Sequence, residues 1–220
     1  MSSTLEFAIG DHERAIEVAT IGILKLGAQK DLIESDVYFL SEFYQDRASA
    51  YASLGKNDIA LEEYTRAAKY NPASFSAFNN RSKLYFSLGQ FELAEADIDK
   101  AIENDPESAT GYVNLSKILS KQAEAEIAEG SVLKDVEDKL FKAIEAGEKG
   151  FDISSDDDDK GEAAYSVALA YASLEERASA LEWLNIAYKY SPEFEVKVRR
   201  EEQDDDYAAL RVITQEQPND

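Results

Sequence analysis

The chain has no cysteine. That excludes disulfides, thiol catalysis and thiolate metal sites, and it leaves the redox compartment open. Four prolines and ten glycines are few for 220 residues, so little interrupts the backbone and long helices are expected. Histidine occurs once, as His12, so there is no Ser/His or Cys/His pair on which to build nucleophilic catalysis. A phosphate loop is missing too, because Gly55-Lys56 lacks the upstream glycine. No apolar run approaches the roughly 18 residues that a spanning helix needs. The opening Met1-Ser2-Ser3-Thr4-Leu5-Glu6 has neither the basic nor the apolar stretch of a signal peptide, so a cytoplasmic location is the expectation.

Positive charge is also scarce. The 23 basic residues face 45 acidic ones, for a formal net charge of −22. Such a surface repels phosphate backbones and anionic lipid, which argues against nucleic acid and membrane insertion. It keeps the chain soluble, and it favours a basic or mixed protein partner. Hydrophobic residues make up 44%, enough for a core.

What is present is a duplication. Tyr51, Leu54, Gly55, Ala60, Tyr64, Ala67 and Pro72 recur 34 residues later as Tyr85, Leu88, Gly89, Ala94, Ile98, Ala101 and Pro106. A fixed period of this length means one supersecondary unit stacked on copies of itself. The helical stripe Val37, Leu40, Tyr44, Ala48, Tyr51 predicts a helix over 36–54, and a partner follows over 58–70 with Asp58 as its cap. The next pair has a first helix over about 73–88, a turn at Gly89-Gln90 and a second helix that runs to Asn104. Before them, Ala15, Ile16, Ala19, Ile23 and Leu26 predict a helix over 11–26, capped by Asp11.

These residues resemble the tetratricopeptide repeat. Its pattern of aromatic, small residue, tyrosine, small residue, bulky residue and proline is met by Tyr44, Ala48, Tyr51, Ala60, Tyr64 and Pro72. It is met again by Phe78, Ser82, Tyr85, Ala94, Ile98 and Pro106. Arg47 and Arg81 depart from it, standing where the family usually has an aliphatic residue. The resemblance implies an all-α, right-handed superhelical solenoid of antiparallel helix pairs, forming one domain over 1–220. Its parts are a partial repeat at 1–35, repeats at 41–74 and 75–108, an irregular repeat at 109–160, a repeat at 161–194 and a capping segment at 195–220.

In the irregular repeat the first helix is expected to continue through Lys121 to Glu126, a strongly helix-forming run. Gly130-Ser131 then turns the chain, and the second helix runs towards Gly147 or Gly150. Residues 152–160, with Asp156-Asp157-Asp158-Asp159, are read as a surface loop. They are not a calcium hand, because Lys160 stands at a ligand place and Val167 where the bidentate glutamate belongs. The fourth repeat returns to phase with Ala164, Ala168, Tyr171, Ala180, Leu184 and Pro192. Trp183 is expected between this repeat and the cap, whose last helix holds Tyr207, Leu210 and Ile213 behind Asp204.

In the family the first helix of each unit lines a concave groove. The resemblance therefore implies Gln45, Ser49, Asn79, Asn80, Lys83, Asn114, Lys117 and Tyr165 as peptide-binding positions. Asn80 and Asn114 hold equivalent places, and an asparagine amide donates and accepts at once, which suits the backbone of an extended peptide. Lys83 and Lys117 stand one turn further on. Family members that clamp acidic chaperone tails need basic residues or asparagine at five places. Gln45, Ser49, Thr110 and Asn114 do not supply theirs, and Asn80 alone matches.

Two functional readings follow. One is a non-catalytic adaptor that holds a partner's peptide or helix in the groove, without cofactor or metal. The other is a chaperone or escort for a client subunit or secreted substrate. An adaptor binds one partner at defined stoichiometry, whereas an escort suppresses aggregation of several clients. The sequence leaves the oligomeric state open.

Overall fold

The computed structural model describes residues 2–29 and 31–194, with side chains described from residue 11 onward. Among these residues there are nine helices and no strand. The fold is all-α, a helical repeat array. Two compact units divide the chain, Met1–Asn104 and Asp105–Asp220.

The first unit holds α1 (Ser2–Gly27), α2 (Glu34–Ser53), α3 (Asn57–Tyr70), α4 (Phe75–Ser87) and α5 (Phe91–Asn104). The pairs α2–α3 and α4–α5 pack as hairpins, α1 lies on α2, and α3 joins the hairpins by packing on α4. Close approach is possible because the contact positions are small. Ala48, Ala60, Ala67, Ala77, Ala94 and Ala101 all have no exposed surface. Bulky Tyr64 and Ile98 fill the same place one period apart, at 4% and 0% exposure. Ser82 takes the place of Ala48, and its buried hydroxyl donates to the Ala94 carbonyl at 2.7 Å.

The turns recur as well. Gly55 has φ +70° and Gly89 φ +69°, the left-handed region that costs glycine nothing. After α2, Gly55 N–H donates to Ala52 and Lys56 N–H to Tyr51. After α4, Gly89 donates to Phe86 and Gln90 to Tyr85. This paired bonding absorbs the orphan carbonyls of the helix end.

Two expected caps are corrected. Asp11 lies inside α1, which begins at Ser2, since nothing in the sequence before it stops a helix. Asp58 lies in the first turn of α3, behind Lys56 at the cap, so it serves the helix dipole as a charge and makes no cap bond.

The second unit holds α6 (Ala109–Ala128), α7 (Leu133–Ile153), α8 (Asp157–Ser173) and α9 (Arg177–Tyr190). The long α6 and α7 account for the irregular spacing. α7 runs past both glycines expected to end it. Gly147 is instead a packing position, where a Cβ would stand 2.5 Å from the Val167 side chain of α8.

The acidic segment is also corrected. It opens a helix and does not loop. Asp156 caps α8, its carboxylate accepting from the Asp158 and Asp159 amides at 3.0 and 3.1 Å. Asp157, Asp158 and Asp159 form the first turn, where negative charge meets the positive end of the helix dipole. Trp183 packs edge-on against Phe151 of α7, with ring centroids 5.6 Å apart. The expected capping segment, 195–220, lies outside the described residues.

Candidate protein-binding face

Side-chain placement begins with a device that holds the first helices in register. Arg47 of α2 donates to Glu63 of α3 at 2.6 Å, and Arg81 of α4 donates through two nitrogens to Asp97 of α5 at 2.6 and 2.7 Å. Each guanidinium also reaches back one helix, Arg47 to Thr20 of α1 at 3.1 Å and Arg81 to Thr65 of α3 at 2.9 Å. Each sits over an aromatic ring of its own helix, Tyr44 or Phe78. Hydrogen bonding to Asp97 raises the already high pKa of Arg81 against the opposing effect of burial. These two arginines, the departures from the family pattern, therefore tie three helices together. Two Arg-to-acid offsets of 16 residues, themselves 34 apart, were the sequence signal for it.

On that frame the expected binding positions divide. In the first unit, Gln45 is buried and spends its amide on Glu42 at 2.9 Å. Asn79 is buried as well, at 7% exposure. Ser49 is exposed and hydrogen-bonds the Tyr64 hydroxyl, whose pKa burial raises. Asn80 is half-buried and Lys83 exposed, one turn apart on α4. In the second unit, Asn114 is half-buried on α6. Lys117 pairs with Glu162 of α8, so the carboxylate it meets is the chain's own. Tyr165 is buried at 7% exposure and stacks on Phe194, with centroids 4.6 Å apart and planes 9° from parallel. Gln45, Asn79 and Tyr165 thus offer a partner little surface. The sequence pattern marks which helix a residue stands on, whereas rotation of that helix against its neighbours decides what stays open.

A feature that no sequence motif marks lies between α1 and α2. A cleft of about 510 Å³ opens there, with Ala15, Val18, Phe43 and Ala50 among its apolar lining and Asp11 and Asp46 among its charges. Desolvation pushes the Asp46 carboxyl above its usual range. Only the packing of α1 against α2 brings these residues together.

No helix of the described residues is long and apolar enough to cross a membrane. Among the same residues no group of three His, Cys, Asp or Glu is placed to hold a metal ion.

The tetratricopeptide repeat family model matches residues 46–109. Solved structures are similar over much of the chain. MamA is 21% identical, with 86% of this chain and 92% of that one covered and a TM-score of 0.61. BtubC (BKLC) from P. vanneervenii is 17% identical, covering 84% and 75%, with a TM-score of 0.64. A thermophilic TPR protein of Thermus thermophilus is 20% identical, covering 69% and 75%, with a TM-score of 0.58. At such identities the likeness is one of fold. No curated protein matches the sequence significantly.

Proposed function

We propose, for a chain that is a tetratricopeptide-repeat protein, that it is a non-catalytic scaffold holding a segment of another protein against the first helices of its repeats. The repeat fold suggests protein–protein interaction, and the observation that carries the finer reading is α4. Asn80 and Lys83 stand one turn apart there, half-buried and exposed. The Asn80 amide has no hydrogen-bond partner among the described residues. An amide held on a rigid helix can donate to one backbone group of a bound strand and accept from another, whatever the side chains of that strand. The net charge of −22 favours a segment of basic or mixed character.

The test is capture of partner from source lysate by the wild-type chain and by Asn80→Ala, with Asn114→Ala in parallel for the second unit. The lost amide should weaken capture about five- to tenfold, as a hydrogen-bond contribution of roughly 1 kcal/mol implies. The melting temperature should stay near that of the wild type. Capture by both variants equal to that of the wild type would remove the reading.

A further inference from the structure

The α1–α2 cleft has a chemistry of its own. Its apolar lining includes Val18, which is 57% exposed although it borders a concave space. Phe43 lies so close to α1 that a Cβ on Gly22 would stand 2.6 Å from its ring. The two helices meet at that point, and the cleft extends from it towards Asp11 and Ser53. Two carboxylates stand on the rim, Asp11 and Asp46, against one cation, Arg14. Burial raises the Asp46 pKa. Asp46 is exposed at the cleft yet partly deprived of water, and with Asp11 it outnumbers the one arginine of the lining, which favours an arriving positive charge.

We propose that this cleft takes a protein segment carrying a bulky apolar side chain beside a lysine or arginine, the apolar group entering over Val18 and Phe43 and the cation meeting Asp46. The proposal rests on the scaffold reading and names the partner chemistry of one place in the first unit. The cleft volume of about 510 Å³ falls within the ordinary range of ligand sites.

The probe is a short fluorescein-labelled amphipathic peptide of leucine and lysine, with a leucine–glutamate peptide of the same length as its counterpart. Binding to the full chain is read by polarisation at physiological salt. The leucine–lysine peptide should bind and the leucine–glutamate peptide should not. Asp46→Asn and Val18→Ser should each weaken binding about fivefold or more, while Glu145→Gln, an exposed acid of the second unit, should not change it. Val18 is exposed enough that its variant should keep the wild-type melting temperature.

Equal weakening by Glu145→Gln would mean diffuse attraction to an acidic surface and would overturn the proposal. So would unchanged binding in Asp46→Asn and Val18→Ser. A dimer in sedimentation that Val18→Ser dissolves would give the cleft to a second copy and overturn it as well. Should lysate capture be lost in Asn80→Ala yet persist in Asp46→Asn with Val18→Ser, the cleft fails and the scaffold reading stands. If neither set alters capture, the scaffold reading falls with it.

Discussion

Arg81 shows how much one side chain can hold in this fold. Its side chain is 15% exposed and that of Asp97 10%, so both partners are largely out of water. Removing one member of such a pair strands the other. Asp97→Ala should destabilise the chain by roughly 3 kcal/mol in denaturant melts, because the Arg81 charge then lacks its counter-ion. Replacing both members, as Arg81→Leu with Asp97→Leu, should recover most of that loss, since apolar packing often matches a buried pair. The second unit carries the parallel. Val167 precedes Ala168 as Arg81 precedes Ser82, and Trp183 precedes Leu184 as Asp97 precedes Ile98. There Val167 is fully buried, and Trp183 packs on the cluster that contains it. A double variant no more stable than Asp97→Ala would show that the charge pair does what an apolar pair cannot.

At the scale of the element, the helix ends are the informative places. Four first helices close with the same paired bonds, after α2, α4, α6 and α8. Three use glycine in the left-handed region, Gly55, Gly89 and Gly130, and the fourth uses Glu175 at φ +61°. A side chain there costs roughly 1–2 kcal/mol, offset in part by the greater freedom that glycine loses on folding. Glu175→Gly should therefore stabilise the second unit by roughly 0.5–1 kcal/mol, read as a higher melting temperature with unchanged helix content. A lower one would mean that the Glu175 side chain makes a stabilising contact. Gly147 runs the opposite way, a glycine kept in mid-helix despite its poor propensity because α8 leaves no room for a methyl group.

For the whole molecule the governing quantity is charge. Burial raises the carboxyl pKa of Asp46, Glu148 and Asp159. Neighbouring acids add to this at Glu148, through Asp152 and Glu145, and at Asp159, through Asp156, Glu162 and Asp158. A carboxyl whose folded pKa lies above its unfolded value binds a proton more readily in the folded state. Folding then takes up protons in the interval just above the ordinary carboxylate range, and stability rises as pH falls through that interval. The melting temperature should accordingly increase between pH 7 and about 5. A steady fall over those two units would contradict the assignment.

The helical hairpins, their period and their small contact positions are legible in the residues, because a 34-residue recurrence of Ala, Tyr, Gly and Pro leaves few other ways to bury apolar surface. The acidic run at 156–159 is ambiguous by composition, since its polarity suits a loop and a helix start alike, and the cap bonds of Asp156 are what decide for the helix. Tertiary packing alone set which of the eight expected positions stay accessible. It buried Gln45, Asn79 and Tyr165, gave Lys117 to Glu162, and opened the cleft beside Asp46. Periodicity assigns a residue to a helix and a stripe, but exposure depends on how closely the next helix approaches, and that distance is set by side chains far away in the chain.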